Sequence, residues 1–201
     1  MTKTLFLPGA TADASYWRPV ADLLDVEAMH FSWPGLGNEP GAEGVESIHD
    51  LVGLVLATMD QPVDIVAQSL GGLIAIMAVL QKPEYVRRLV LAVTSAGVPV
   101  GDLGGTDWRS NHIRRFPDAP IPRSPTWLRD TSIDLSEQIA SIQVPTLLLW
   151  GDEDPISPVA VGERLRSLMP QSALQIIPGG HHDLAQTHAS LVAGFIRKHL
   201  I

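Results

Sequence analysis

Cysteine is missing altogether from the 201 residues. Its absence removes disulfides, thiolate nucleophiles, zinc fingers and iron–sulfur ligation together, and it fits a reducing compartment. Long apolar runs are missing too: none approaches the roughly 20 residues that a membrane-spanning helix needs. The opening Met1-Thr2-Lys3-Thr4-Leu5-Phe6-Leu7-Pro8-Gly9 has an apolar stretch too short for a signal peptide. The expected location is therefore the cytoplasm, with no membrane partner. Positive charge is scarce, with 14 Lys and Arg against 22 Asp and Glu and a net charge of −8. Phosphate neutralisation needs clustered cations, so nucleic acid is excluded as a partner. What remains, 45% hydrophobic and 18% charged residues, describes a soluble globular chain. Its length suits one domain, 1–201, with a substantial core.

Short apolar runs alternate with segments of helical period. Leu5-Phe6-Leu7 reads as a buried strand closed by Pro8-Gly9. A helical pattern over 17–24 and a strand over 28–33 follow, the latter ending at Pro34-Gly35. Ile48, Leu51, Val52, Val55, Leu56 and Met59 form one face of a second helix, with Ser47 placed to cap it. Strands are expected at 63–67, 89–93, 145–150 and 174–177, and helices at 71–81, after Ser157-Pro158, and at the end of the chain. Ser157 is expected to cap its helix, with Pro158 in the first turn. Strands that are apolar throughout are buried on both faces, and helices between them imply a parallel sheet covered on each side. The fold class is α/β, a single domain with a mostly parallel sheet of about six strands.

One stretch breaks this rhythm. Between Ala96 and Ser136 no period is sustained, and Pro117, Pro120, Pro122 and Pro125 fall close together. A long irregular segment between two strands reads as an inserted cap over residues 97–136. Trp108, Phe116 and Trp127 within it call for something to bury against. Five arginines (109, 114, 115, 123 and 129) are interleaved with them, against four aspartates between 101 and 130.

Three short motifs carry chemistry. Ala67-Gln68-Ser69-Leu70-Gly71-Gly72 puts a serine on a strand-to-helix turn, where its hydroxyl projects at the carboxyl edge of the sheet. The helix that starts there offers free N–H groups and a positive dipole end to a developing oxyanion. Small residues flank the serine at Ala67 and Gly71, where strand and helix backbones are expected to approach closely. Gly151-Asp152-Glu153-Asp154-Pro155 follows one later strand, and Pro178-Gly179-Gly180-His181-His182-Asp183 follows another. Each motif alone has an ordinary reading, as a helix cap, an acidic turn or a solvated histidine. Serine, acid and histidine in that order, each directly after a predicted parallel strand, point to nucleophilic catalysis.

Over essentially the whole chain the sequence resembles the α/β-hydrolase family. Leu7-Pro8-Gly9-Ala10 with Trp17 looks like the family's oxyanion loop, Pro34-Gly35-Leu36-Gly37 like its following turn, and Gly151-x-x-Asp154-x-x-x-Pro158 like its acid motif. Pro8 stands where the loop usually has histidine, and Ala67 where the elbow usually has its first glycine. The resemblance implies Ser69 as nucleophile, Asp154 as acid, and His182 or His181 as base. His182 is favoured by the register of the following Asp183-Leu184. It implies the backbone N–H groups of Ala10 and Leu70 as oxyanion hole, and no metal or organic cofactor.

The expected activity is hydrolysis of a carboxylic ester or thioester through an acyl-enzyme. A lyase or perhydrolase of the same fold, and a triad-bearing small-ligand receptor, remain alternatives. Trp108, Phe116 and Trp127 would line an acyl channel. Arg114 and Arg115 at its mouth would suit a carboxylate, a phosphate or an acidic acyl carrier. The sequence leaves the oligomeric state open.

Overall fold

The computed structural model describes residues 2–11, 13–129 and 133–201. Six parallel strands form one sheet: β1 (Lys3–Leu7), β2 (Glu27–His30), β3 (Val63–Gln68), β4 (Val86–Ala92), β5 (Thr146–Gly151) and β6 (Ser172–Ile177), in the spatial order β2-β1-β3-β4-β5-β6. The chain steps outward once from β1 to β2, crosses back to β3, and then proceeds strand by strand to β6. Right-handed crossovers therefore put α1 (Arg18–Ala21) on one face of the sheet. They put α2 (Ile48–Leu56), α3 (Leu70–Gln81) and α6 (Val159–Leu168) on the other. The closing helices α7 (Leu184–Thr187) and α8 (Ala189–Leu200) pack against α1, completing the first layer.

The central strands β3 and β5 are buried at every position. Most of their side chains are aliphatic, as a strand covered by helices on both sides requires. The polar exceptions in β3 are Gln68, at its end, and Asp64, which is enclosed and accepts two hydrogen bonds from Arg87, at 3.2 and 3.1 Å. Burial of an unpaired carboxylate there would be prohibitive. The outer strands differ. β2 is mostly exposed and shorter than the expected 28–33, because only its first half reaches the ladder; Phe31 and Trp33 leave the strand to enter the core. On β6, Ile176 faces solvent. Helix α3 is buried on nearly all sides, wedged between the sheet and the neighbours α2 and α5 (Ser136–Ile139).

Of the two expected helix caps, one is present and the other needs correction. Ser47 does cap α2, its hydroxyl accepting from Asp50 N–H at 3.3 Å. Ser157 caps nothing: the N-cap position of α6 falls on Pro158. Instead, the Ser157 carbonyl and hydroxyl accept the buried Trp150 indole N–H, at 3.0 and 3.3 Å. An orphaned indole inside the core costs more than an uncapped helix end.

The β4–β5 connection is less irregular than the sequence suggests. It contains helix α4 (Trp108–Arg115) and a 3₁₀ turn, Thr126–Arg129. No residue of α4 is buried. The expectation that Phe116 finds burial is corrected: it follows α4 and stays 48% exposed. Polar ties hold the connection to the body. Asp102 receives both arms of Arg164 from α6, at 2.8 and 2.6 Å, and Thr106 N–H donates to Pro155 C=O at 2.8 Å. Gly37 N–H donates to Arg123 C=O at 3.1 Å.

Candidate active site

Parallel strands end at a common edge, so the loops after β1, β3, β5 and β6 meet there. Ser69 sits between β3 and α3 with φ 52° and ψ −118°. That left-handed backbone is costly for a residue with a Cβ, and it lifts the side chain out of the helix line. The hydroxyl makes no capping bond to α3. Two neighbours hold the turn: Ser69 N–H donates to Ala92 C=O at 3.0 Å, and the buried Thr94 hydroxyl donates to Ser69 C=O at 2.6 Å.

The small residue after the serine is needed where helix and strand backbones meet, as expected. A Cβ on Gly71 would lie 2.5 Å from Leu7 C=O and 2.6 Å from Pro8 C=O. The close partner is thus the end of strand β1 and the loop that leaves it, rather than strand β3. Buried indoles fix that loop from behind: Trp17 donates to Leu7 C=O at 3.1 Å and Trp33 to Pro8 C=O at 2.8 Å. Gly9, Ala10 and Thr11 then line the same cleft as Ser69. Leu70, the first residue of α3, has no intrahelical acceptor for its N–H. Among the described residues, no acceptor takes the Ala10 N–H.

The acid and the histidine arrive from β5 and β6. Asp154 is buried, with Oδ1 accepting from Ile156 N–H at 2.8 Å and Oδ2 lying 2.7 Å from His182 Nδ1. That contact engages Nδ1 and leaves Nε2 as the free ring nitrogen, and His182 lines the cleft with Ser69. His181 turns away, its Nδ1 bonded to Glu153 C=O at 2.6 Å and its ring half exposed. The structure therefore brings His182, rather than His181, to Asp154. Gly151 lets the two loops meet, because a Cβ there would collide with Gly180 C=O.

The cleft has a volume of about 340 Å³, at the small end for a ligand site. Trp108, Arg115 and Phe116 line it, as expected. Arg114 and Trp127 do not, which corrects two of the expected substrate contacts. Arg114 points along α4 to Asn111 Oδ1 at 2.7 Å. Trp127 lines a separate cavity with Leu73 and Ile133 on the α2 side, because the 3₁₀ turn packs there and not over the serine.

Several lining residues escaped sequence reasoning. Gln68 donates its side-chain N–H to His182 C=O at 3.2 Å, and the Tyr16 hydroxyl donates to the same oxygen at 3.4 Å. Burial, with Asp183 nearby, pushes the Tyr16 phenol far above its ordinary pKa, so it stays a donor. Gln186 donates to Tyr16 C=O. Gln68 carried a weak signal as the residue before the serine; Tyr16 was overshadowed by Trp17. Among the described residues, no three His, Asp or Glu side chains converge to hold a metal ion, and no helix is long and apolar enough to cross a membrane.

A strained serine after β3, a histidine after β6 held by a buried acid after β5, and a parallel sheet beneath them define a class. The sequence model of the Alpha/beta hydrolase family matches residues 4–140, and a second, for the alpha/beta hydrolase fold, matches 121–188. The chain belongs to the α/β-hydrolase family. A pimeloyl-[acyl-carrier protein] methyl ester esterase of Neisseria meningitidis is 28% identical over 205 residues, covering 82% of this chain; the chain spans 65% of that relative's length. A poly(3-hydroxyalkanoate) depolymerase of Ectopseudomonas oleovorans is 28% identical over 240 residues, covering 100% of this chain and 84% of its own. Among solved structures, an esterase from Thermogutta terrifontis superposes with a TM-score of 0.78 at 20% identity, over 100% of this chain and 89% of that one. The fold is shared with it.

Proposed function

We propose that the protein is a serine esterase that hydrolyses small carboxylic esters. Ser69 is the nucleophile, His182 the general base and Asp154 the carboxylate that orients it. The N–H groups of Ala10 and Leu70 form the oxyanion hole. In the first step His182 Nε2 takes the Ser69 proton as Oγ attacks the ester carbonyl. The negative charge gathers on the carbonyl oxygen, between the two N–H donors. The imidazolium then gives its proton to the departing alcohol, leaving an acyl-enzyme. Water repeats the sequence, its proton passing to His182 and back to Ser69 as the acid leaves. Asp154 balances the imidazolium charge throughout.

One observation carries this reading: the 2.7 Å contact between His182 Nδ1 and buried Asp154, with His182 and Ser69 lining one cleft. The names of the methyl ester esterase and the esterase above agree with an ester as substrate. Residues 97–136 act as a cap in this reading, since α4 supplies Trp108, His112 and Arg115 to the cleft. The test is fluorophosphonate labelling followed by turnover of short p-nitrophenyl esters. Ser69→Ala is expected to lose the label, and its kcat to fall by about 10³-fold or more. Near-normal turnover by that variant would refute the assignment.

A further inference from the structure

Among the described residues, two formally charged side chains line the cleft, Arg115 from α4 and Asp183 from the loop after β6. They pair with each other, Arg115 Nη2 donating to Asp183 Oδ2 at 2.8 Å. The rest of the described lining is apolar or polar, with the histidines His112 and His182 and the amides Asn111, Gln68 and Gln186 among it. The guanidinium also lies over the Phe116 ring, 5.5 Å from its centre, which fixes it at the mouth. Asp183 is better buried than its partner, with 25% of its side chain exposed against 47% for Arg115. Its other oxygen, Oδ1, is buried and has no partner among the described residues. A carboxylate so placed depends on Arg115 for its remaining contact.

An anionic acyl group entering the cleft meets a cation already occupied by an internal carboxylate, and that carboxylate would repel it. A neutral ester meets no such opposition. We infer that Asp183 is a specificity-determining residue: by occupying Arg115, it makes the cleft select electrically neutral esters over esters bearing a carboxylate on the acyl chain. The inference rests on the ester reading for its chemistry, but the selection itself is a property of binding.

Calorimetric titration of the Ser69→Ala protein, at neutral pH and low salt, tests it. The ligands are dimethyl glutarate, which is neutral, and monomethyl glutarate, which is anionic and of nearly the same shape. The neutral diester is expected to bind more tightly. Adding Asp183→Asn keeps the side-chain shape and frees Arg115, and should shift the affinity ratio about tenfold toward the monoester. Adding Arg115→Gln instead, at a half-exposed position, leaves Asp183 uncompensated. It should shift the ratio several-fold the other way. An unchanged ratio in both variants, a preference for the monoester while Asp183 is intact, or binding of neither ligand would overturn the inference. Hydrolysis of dimethyl glutarate by the protein with Ser69 present is scored separately. Selective binding without turnover would remove the esterase reading and leave the selection standing.

Discussion

Backbone carbonyl oxygens are where the surroundings grip the proposed reacting residues. Thr94 holds Ser69 by its C=O, while Gln68 and Tyr16 together hold His182 by its own. Side chains that anchor a backbone leave the reacting atoms free for substrate. Thr94→Val keeps the volume and removes the donor to a strained turn. Its kcat for a p-nitrophenyl ester is expected to fall about tenfold with KM little changed, and Thr94→Ser should restore it. A second prediction concerns the adjacent histidines. His182→Ala should lose activity by about 10³-fold or more, whereas His181→Ala, whose ring is bonded to Glu153 C=O outside the cleft, should stay within about threefold of the parent. The positions of Ser69, Asp154 and His182 were legible because each directly follows an apolar run, and such runs end at one edge of a parallel sheet. Their supports were not. The contact from Tyr16 to His182 spans 166 residues and that from Gln68 spans 114, so neither leaves a local pattern.

The elements divide along the same line. Helix α2 could be read from its apolar face, because burial imposes a period on the side chains that make it. Helix α4 could not, because it buries nothing; polar ties from the body and backbone hydrogen bonds hold the connection that carries it. The aromatic residues of the β4–β5 connection looked equivalent in sequence, yet the structure sends Trp108 to the cleft and Trp127 to the cavity on the α2 side. Trp108→Ala is therefore expected to move the preferred acyl length in a series of p-nitrophenyl esters. Trp127→Ala should leave that profile in place and lower unfolding stability by about 1–2 kcal/mol through lost apolar burial. Matching shifts of acyl preference in both variants would place the 3₁₀ turn over the serine after all.

At the scale of the whole molecule, acid sensitivity follows from two histidines. Burial lowers the pKa of His199 and of His30 below the ordinary 6.5. The folded state then binds fewer protons than the unfolded chain, so the fold is disfavoured as pH falls below 6.5 and the loss is complete once pH passes the lowered values. The urea midpoint should decline between pH 7.5 and 5.5, and His199→Gln should flatten the decline; equal slopes in the two proteins would count against the account. The Asp102–Arg164 pair acts elsewhere. Arg164 holds the Asp102 carboxyl down from 3.8 to about 2, so its contribution is present above pH 3.8 and lost only as pH falls toward 2. The overall architecture was legible in the strands, since the inner ones carry apolar runs. The short β2 and the half-exposed β6 were harder to bound, because edge strands are buried on one face at most.

Because α4 shares no core with the sheet, its sequence and the fold's survival are nearly decoupled. Residues there can drift, or be exchanged wholesale for a segment of similar span, without taxing the hydrophobic interior that keeps the chain folded. The cleft can thus acquire new preferences while the edge of the sheet that carries Ser69, Asp154 and His182 stays as it is. For a laboratory evolution experiment, that makes residues 108–116 the stretch to randomise first.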